Sequence, residues 1–199
     1  WRTVLICGQG RGQGSGRTAD ATGNFYFALD ITDIHDPQVM WEFTDSKMGE
    51  TWSVPVIGKI RKEGIDTWAA FMGSGYDNVT GQGVQGNRFY AVDIATGEAF
   101  WSFDVPEINT ATGDPNGVVW TNTKNVAAAF PGSPSAVDTD EDGFMDSVYI
   151  GDLEGRLWKI NTSVDFTPVA PWAEEILYED SRNYPIITKP AVYMDTEDP

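Results

Sequence analysis

Phe89-Tyr90-Ala91-Val92-Asp93-Ile94-Ala95-Thr96-Gly97, followed by Ala99-Phe100-Trp101-Ser102-Phe103, is the stretch that decides the fold. It reads as two half-buried strands joined by a tight turn: a run rich in β-branched and aromatic residues, a turn opened by Asp93, and a second run ending in Trp-x-Phe. An Asp opens such a turn because its carboxylate bonds its own backbone two residues on, and Gly97 supplies the positive φ that closes it. The same pattern lies earlier in the chain. Phe25-Tyr26-Phe27-Ala28-Leu29-Asp30-Ile31-Thr32 is followed by Val39-Met40-Trp41-Glu42-Phe43, and Asp30 and Asp93 are 63 residues apart. A weaker third copy, Leu157-Trp158-Lys159-Ile160-Asn161, follows Asp93 at a spacing of 68.

A second element precedes each hairpin. Trp52-Ser53-Val54-Pro55-Val56-Ile57-Gly58 resembles Phe130-Pro131-Gly132-Ser133-Pro134-Ser135-Ala136-Val137-Asp138 and Thr188-Lys189-Pro190-Ala191-Val192-Tyr193-Met194-Asp195. The first two are followed by strands ending in Gly, Trp68 to Gly73 and Ser147 to Gly151, and the opening Thr3-Val4-Leu5-Ile6-Cys7-Gly8 matches these. The unit is four short strands entered at a Pro, where a ladder donor is dispensable, and this is the pattern of a β-propeller blade. The fold class is therefore all-β: a partial β-propeller of about two whole four-stranded blades plus partial blades, with long loop insertions at 8–24, 77–87 and 104–129. No sustained 3.6-residue periodicity occurs, and the best helical candidate, around Trp172 to Leu177, is barely two turns. Propellers close with about 4–8 blades, so residues 1–199 read as a segment of one propeller domain, truncated at both ends, that needs the rest of its own ring.

Composition narrows the function. There are 30 acidic residues against 13 Lys and Arg, a formal charge of −17. Neutralising phosphates needs clustered cations, so nucleic acid and anionic membranes are disfavoured. Charged residues are 22% and aromatics 13% of the chain, with eight Trp, which is a core-forming composition rather than a disordered acidic tail. No apolar run approaches the ~18–20 residues that span a bilayer. The single cysteine, Cys7, rules out an intrachain disulfide and reads as a buried, inert side chain of an apolar strand.

One motif carries chemistry. Asp138-Thr139-Asp140-Glu141-Asp142-Gly143-Phe144-Met145-Asp146 places carboxylates at loop positions 1, 3, 5 and 9 and Gly at position 6. Alternate side chains of a tight loop converge on one point, and Ca²⁺ takes 6–8 oxygen ligands. Asp138, Asp140, Asp142 and Asp146 are the expected carboxylate ligands, with the backbone carbonyl of Phe144 as a fifth. Position 12 is Tyr149 rather than a bidentate Glu, and strands rather than helices flank the loop; the competing reading is a solvated acidic turn.

Other motifs carry less. Gly81-Gln82-Gly83-Val84-Gln85-Gly86 has the letters of a dinucleotide fingerprint, but a strand follows where a helix should begin. Gly16-Arg17-Thr18 lacks the lysine of a phosphate loop. His35, the only histidine, reads as a surface turn residue, and one His with one Cys cannot build a His-based zinc site. Trp41 and Trp101 read as inter-blade packing. Glu174, Glu175, Glu179 and Asp180 read as a solvated face.

The order Trp1 to Ile6, a Gly-rich loop, Phe27-Ala28-Leu29-Asp30-Ile31-Thr32-Asp33 and Trp41-Glu42-Phe43 resembles the C-terminal propeller domain of the PilY1 family. The likeness continues through Trp52 to Gly58, Phe71-Met72-Gly73-Ser74-Gly75-Tyr76, and Asp138 to Asp146 leading into Tyr149-Ile150-Gly151-Asp152-Leu153-Glu154-Gly155-Arg156-Leu157-Trp158-Lys159. It implies a non-enzymatic type IV pilus-associated factor of the bacterial surface or pilus tip, acting in pilus biogenesis, extension and retraction, and in adhesion. It also implies Ca²⁺ on Asp138, Asp140, Asp142, Asp146 and the Phe144 carbonyl, with pilin or minor pilin subunits as partners. The alternative is a quinoprotein-type dehydrogenase on a similar Trp-rich propeller; such enzymes often carry a vicinal cysteine pair, which this chain lacks.

Overall fold

The computed structural model describes residues 1–10, 24–76, 85–105 and 129–195. Among the described residues, eleven strands form three antiparallel sheets. The first holds β1 (Val4–Gly8), β2 (Tyr26–Asp30) and β3 (Gln38–Phe43) in the order β1-β2-β3. The second is a meander of β4 (Val56–Lys62), β5 (Ile65–Gly73), β6 (Arg88–Asp93) and β7 (Ala99–Asp104). The third is β8 (Ser135–Val137), β9 (Ser147–Gly151), β10 (Arg156–Asn161) and β11 (Glu174–Glu179), ordered β11-β10-β9-β8. Two whole four-stranded blades and a three-stranded one thus follow the expected repeat. The four-stranded sheets enter β4 and β8 directly after Pro55 and Pro134.

The repeat is legible in the registers. Gly8 faces Tyr26, Gly73 faces Phe89, and Gly151 faces Leu157, so the strand-ending glycines occupy one structural position. A Cβ at each would lie 2.3 Å from the Thr51 carbonyl oxygen, 2.2 Å from that of Phe130 and 2.3 Å from an Ile186 methyl, respectively. Thr51, Phe130 and Ile186 each stand four residues before the Pro of the next repeat (Pro55, Pro134, Pro190). The glycine is therefore where the chain entering the next blade crosses the sheet, and only a residue without a Cβ lets it pass.

Blade 2 is covered on both faces, which explains why β5 and β6 are nearly continuous apolar runs rather than alternating ones. One parity, Ala70, Met72, Tyr90 and Val92, packs with Tyr26, Ala28 and Trp41 of blade 1. The other, Ala69, Phe71, Phe89 and Ala91, packs with Val148, Ile150, Trp158 and Ile160 of blade 3. Trp41 bridges its seam as expected, its indole Nε1 donating to the Ile94 carbonyl at 2.8 Å. Trp101 is buried in the second seam among Phe89, Phe103 and Trp172.

Four expectations are corrected. The helical candidate around Trp172 to Leu177 is not a helix: Glu174–Glu179 is the outermost strand of blade 3, paired with β10 and exposed at every residue. Cys7 is exposed, because β1 buries the parity of Val4 and Ile6 more deeply and turns Cys7 to the outer face. Asp180 does not belong to the solvated face; it is buried and accepts hydrogen bonds from the Arg182 amide and guanidinium. The third Pro-led copy, Thr188 to Asp195, forms no strand. His35 lies in an exposed turn, as expected. Gly16-Arg17-Thr18, most of the 81–86 glycine run, and most of the 8–24, 77–87 and 104–129 insertions lie outside the described residues. Among the described residues, no helix is long and apolar enough to cross a membrane.

Candidate metal centre

The turn between β8 and β9 carries the acidic motif. Gly143 sits at φ 90°, the left-handed conformation that position 6 of the loop requires. The turn is held by its own carboxylates: the Asp142 amide donates to Asp138 Oδ1 and Asp140 Oδ1, each at 3.2 Å, and the Gly143 amide donates to Asp138 Oδ2 at 2.7 Å. One carboxylate oxygen from each of Asp138, Asp140 and Asp146 lies within 4.8 Å of the others. Of the predicted ligands, these three are brought together.

Asp142 is not in that group. Its Oδ1 accepts the Phe144 amide at 2.9 Å, and its Oδ2 lies 3.8 Å from the Arg61 guanidinium of blade 2. The Phe144 ring stacks against cations of the same strand, with Lys59 Nζ 4.4 Å and the Arg61 guanidinium carbon 4.6 Å from its centroid. A cation over an aromatic face is attracted by the ring quadrupole. The turn is therefore docked on β4. The Met145 amide donates to the Lys59 carbonyl at 2.8 Å, and the Met145 side chain fills the notch left by Gly58, where a Cβ would lie 2.1 Å from its Cγ.

Asp146 is held by Thr139. Partial burial pushes its carboxyl up, but hydrogen bonds from the Thr139 hydroxyl and amide and the Asp140 amide outweigh this and hold it below the ordinary carboxylate value. The Thr139 amide donates at 2.6 Å and the hydroxyl makes a second bond to the same oxygen. Three oxygen donors with no sulfur or imidazole among them form a hard set, suited to Ca²⁺ or Mg²⁺ rather than to zinc or copper. Thr139, Lys59 and Arg61 shape this site although the motif alone did not single them out: Thr139 sits inside the loop, and the two cations come from a strand far away in sequence.

Just beyond β9, Asp152 has no exposed side-chain surface. It accepts from the Glu154 amide (2.9 Å), the Arg156 amide (3.0 Å), Arg156 Nε (2.7 Å) and Trp158 Nε1 (2.7 Å). This clamp explains the Gly-Asp-Leu-x-Gly-x-Leu-Trp wording of the sequence: a buried carboxylate needs its partners at fixed offsets.

Face-to-face four-stranded antiparallel meanders with an acidic turn at a blade seam define a β-propeller segment with a candidate hard-cation site. The chain belongs to the PilY1 β-propeller domain family, whose model matches residues 17–169. It is 33% identical over 193 residues to a protein of Xylella fastidiosa (strain Temecula1) named type IV pilus biogenesis factor PilY1 homolog, covering 94% of this chain and 11% of that protein. It is 27% identical over 164 residues to the type IV pilus biogenesis factor PilY1 of Pseudomonas aeruginosa (strain UCBPP-PA14), covering 81% of this chain and 11% of the relative. The crystal structure of the P. aeruginosa PilY1 C-terminal domain superposes with a TM-score of 0.56 at 25% identity, over 81% of this chain and 27% of that one. The chain thus spans about a tenth of the length of the curated relatives it matches.

Proposed function

We propose that this chain is a non-catalytic propeller module of a type IV pilus biogenesis factor at the bacterial surface, and that its 138–146 turn binds Ca²⁺. The observation that carries the reading is the convergence of Asp138, Asp140 and Asp146 within 4.8 Å on a turn docked across a blade seam. These three carboxylates would hold the ion, with the Phe144 carbonyl as a further donor; Asp142, whose Oδ2 faces Arg61, would join them only by turning from that cation. A bound divalent ion supplies charge compensation to a crowded anionic turn. An exposed site of this kind belongs with the extracellular class, whose dissociation constants are ~10⁻⁴–10⁻³ M.

What the chain's own residues do follows from the contacts. The turn is tied to blade 2 through Met145 and Lys59. It is tied to the end of β10 through the Thr162 amide, which donates to the Asp146 carbonyl at 2.8 Å. Neutralising the turn stabilises both attachments at once and firms the seam between blades 2 and 3. The surface above that seam is then presented in one arrangement to pilin or minor pilin subunits.

The test is made in the full-length protein, in the piliated bacterium that carries it. Asp138→Ala with Asp146→Ala is expected to remove the calcium dependence of surface pilus number. Pilus counts that respond to calcium as in the wild type would overturn the reading.

A further inference from the structure

The 138–146 turn carries five carboxylates, those of Asp138, Asp140, Glu141, Asp142 and Asp146, and no cation of its own. Like charges crowded on one loop repel, so a cation reaching in from another element is stabilising there. Among the described residues, the one ion pair that any of the five makes is Asp142 Oδ2 with the Arg61 guanidinium, at 3.8 Å. Asp142 is also the loop-position carboxylate missing from the group that converges within 4.8 Å. A carboxylate drawn toward a guanidinium is turned from its neighbours.

Arg61 is held at both ends. Its carbonyl accepts the Phe166 amide at 2.9 Å, which fixes the backbone of β4 beside the turn. Its guanidinium carbon lies 4.6 Å from the centroid of the Phe144 ring, two residues beyond Asp142. Lys59 stands on the same face of β4, since side chains two apart on a strand point the same way. It also lies over the Phe144 ring, but its Nζ pairs with Asp66 Oδ2 at 2.8 Å. The positive charge that answers the turn is therefore that of Arg61.

We propose, resting on the calcium reading of the turn, that Arg61 is its built-in counter-cation: it holds Asp142 off the converged carboxylates and so sets the calcium concentration at which the turn fills. A divalent ion among Asp138, Asp140 and Asp146 works against Arg61 twice. The ion and the guanidinium repel each other, and Asp142 joins the ligands only by giving up its ion pair. Both effects have the same sign, and both weaken calcium uptake. The side chains of Arg61 and Asp142 are 58% and 42% exposed, so the exchange disturbs no core and solvent keeps its size modest. A guanidinium stays charged throughout the range in which proteins fold, so this brake does not relax with pH.

The test is isothermal titration of CaCl₂ into the full 199-residue chain at low ionic strength, where exposed charges are least screened. Wild type is compared with Arg61→Gln, Arg61→Lys, Asp142→Asn and the Arg61→Gln, Asp142→Asn double variant, with matching circular dichroism as the check on folding. Arg61→Gln is expected to bind calcium about threefold to tenfold more tightly than wild type. Arg61→Lys keeps the charge and is expected to stay within about twofold of wild type. In the Asp142→Asn background the gain from Arg61→Gln is expected to shrink to about twofold or less, because the ion pair is already gone. Equal affinity of Arg61→Gln and wild type overturns the proposal and leaves the calcium site standing. Weaker binding by Arg61→Gln also overturns it, since Arg61 then supports the shape of the turn. So does a gain in Arg61→Lys as large as that in Arg61→Gln, or one undiminished by Asp142→Asn. No saturable uptake by wild type or Arg61→Gln overturns both this proposal and the calcium reading beneath it.

Discussion

Replacing Gly73 by Ala tests the crossing that orders the blades. The added Cβ would lie 2.2 Å from the Phe130 carbonyl oxygen and 2.7 Å from the Phe130 Cβ. Neither is the free end of a flexible side chain, so the entering segment itself must shift. That segment is anchored: Phe130 is fully buried against Phe89 and Phe103, and its carbonyl accepts the Gly75 amide at 3.2 Å. Overpacking a well-filled core costs about 1–3 kcal/mol, and weakening the Gly75 hydrogen bond adds about 1 kcal/mol. The sum, about 2–4 kcal/mol, lowers Tm by roughly 10 °C for a chain of this size. Gly64→Ala is the control. Gly64 has φ +77° but nothing within 4 Å of the added Cβ, so only backbone strain of about 1–2 kcal/mol applies. Thermal unfolding followed by circular dichroism reads both variants. A Gly73→Ala melt equal to or above that of Gly64→Ala would falsify the claim that the strand-end glycine is set by the crossing chain.

Two further outcomes are expected. Asp152→Asn leaves Arg156 charged and buried without its counter-ion, and is expected to lower stability by about 3–5 kcal/mol, read as the denaturant midpoint; a midpoint within error of wild type would contradict the clamp. Asp104 and Asp30 have carboxyls held below the ordinary value of 3.8, the first chiefly by hydrogen bonding from Arg88 and the second by Thr32. Because their folded values are depressed, the stability they contribute is complete above pH 3.8 and is lost as pH falls below it. Tm measured from pH 5 to pH 2 should fall in that lower window, and by less in Asp104→Asn; equal acid slopes for the variant and wild type would refute the assignment.

Legibility followed burial. The hairpins of blades 1 and 2 could be read because each pairs an aromatic run ending in Asp with a second run containing Trp-x-Phe, and in blade 2 the turn closes on Gly97, which does take φ 77°. The fourth strand of blade 3 could not. All six residues of Glu174–Glu179 are solvent-exposed, so no alternation marks them, and Glu and Leu favour helix where packing does not decide. Pairing with β10 decides instead, with Lys159 opposite Glu175 and their charges 3.2 Å apart. Cys7 was misread because an apolar run does not say which parity a neighbouring blade covers. At the acidic turn, the spacing of carboxylates pointed to convergence, and three of the four meet. The fourth, Asp142, faces Arg61, a contact that depends on how two blades stack and is invisible in a local motif. Thr188 to Asp195 repeats the Pro-led wording without forming a strand, so the wording alone does not specify one.

The central claim, that the 138–146 turn takes up calcium, is tested most directly by isothermal titration of CaCl₂ into the purified chain and its Asp138→Ala variant. The expected result is one site per chain with a dissociation constant of ~10⁻⁴–10⁻³ M in the wild type and no saturable heat in the variant. Equal uptake by both proteins, or none by either at calcium well above that range, would contradict it.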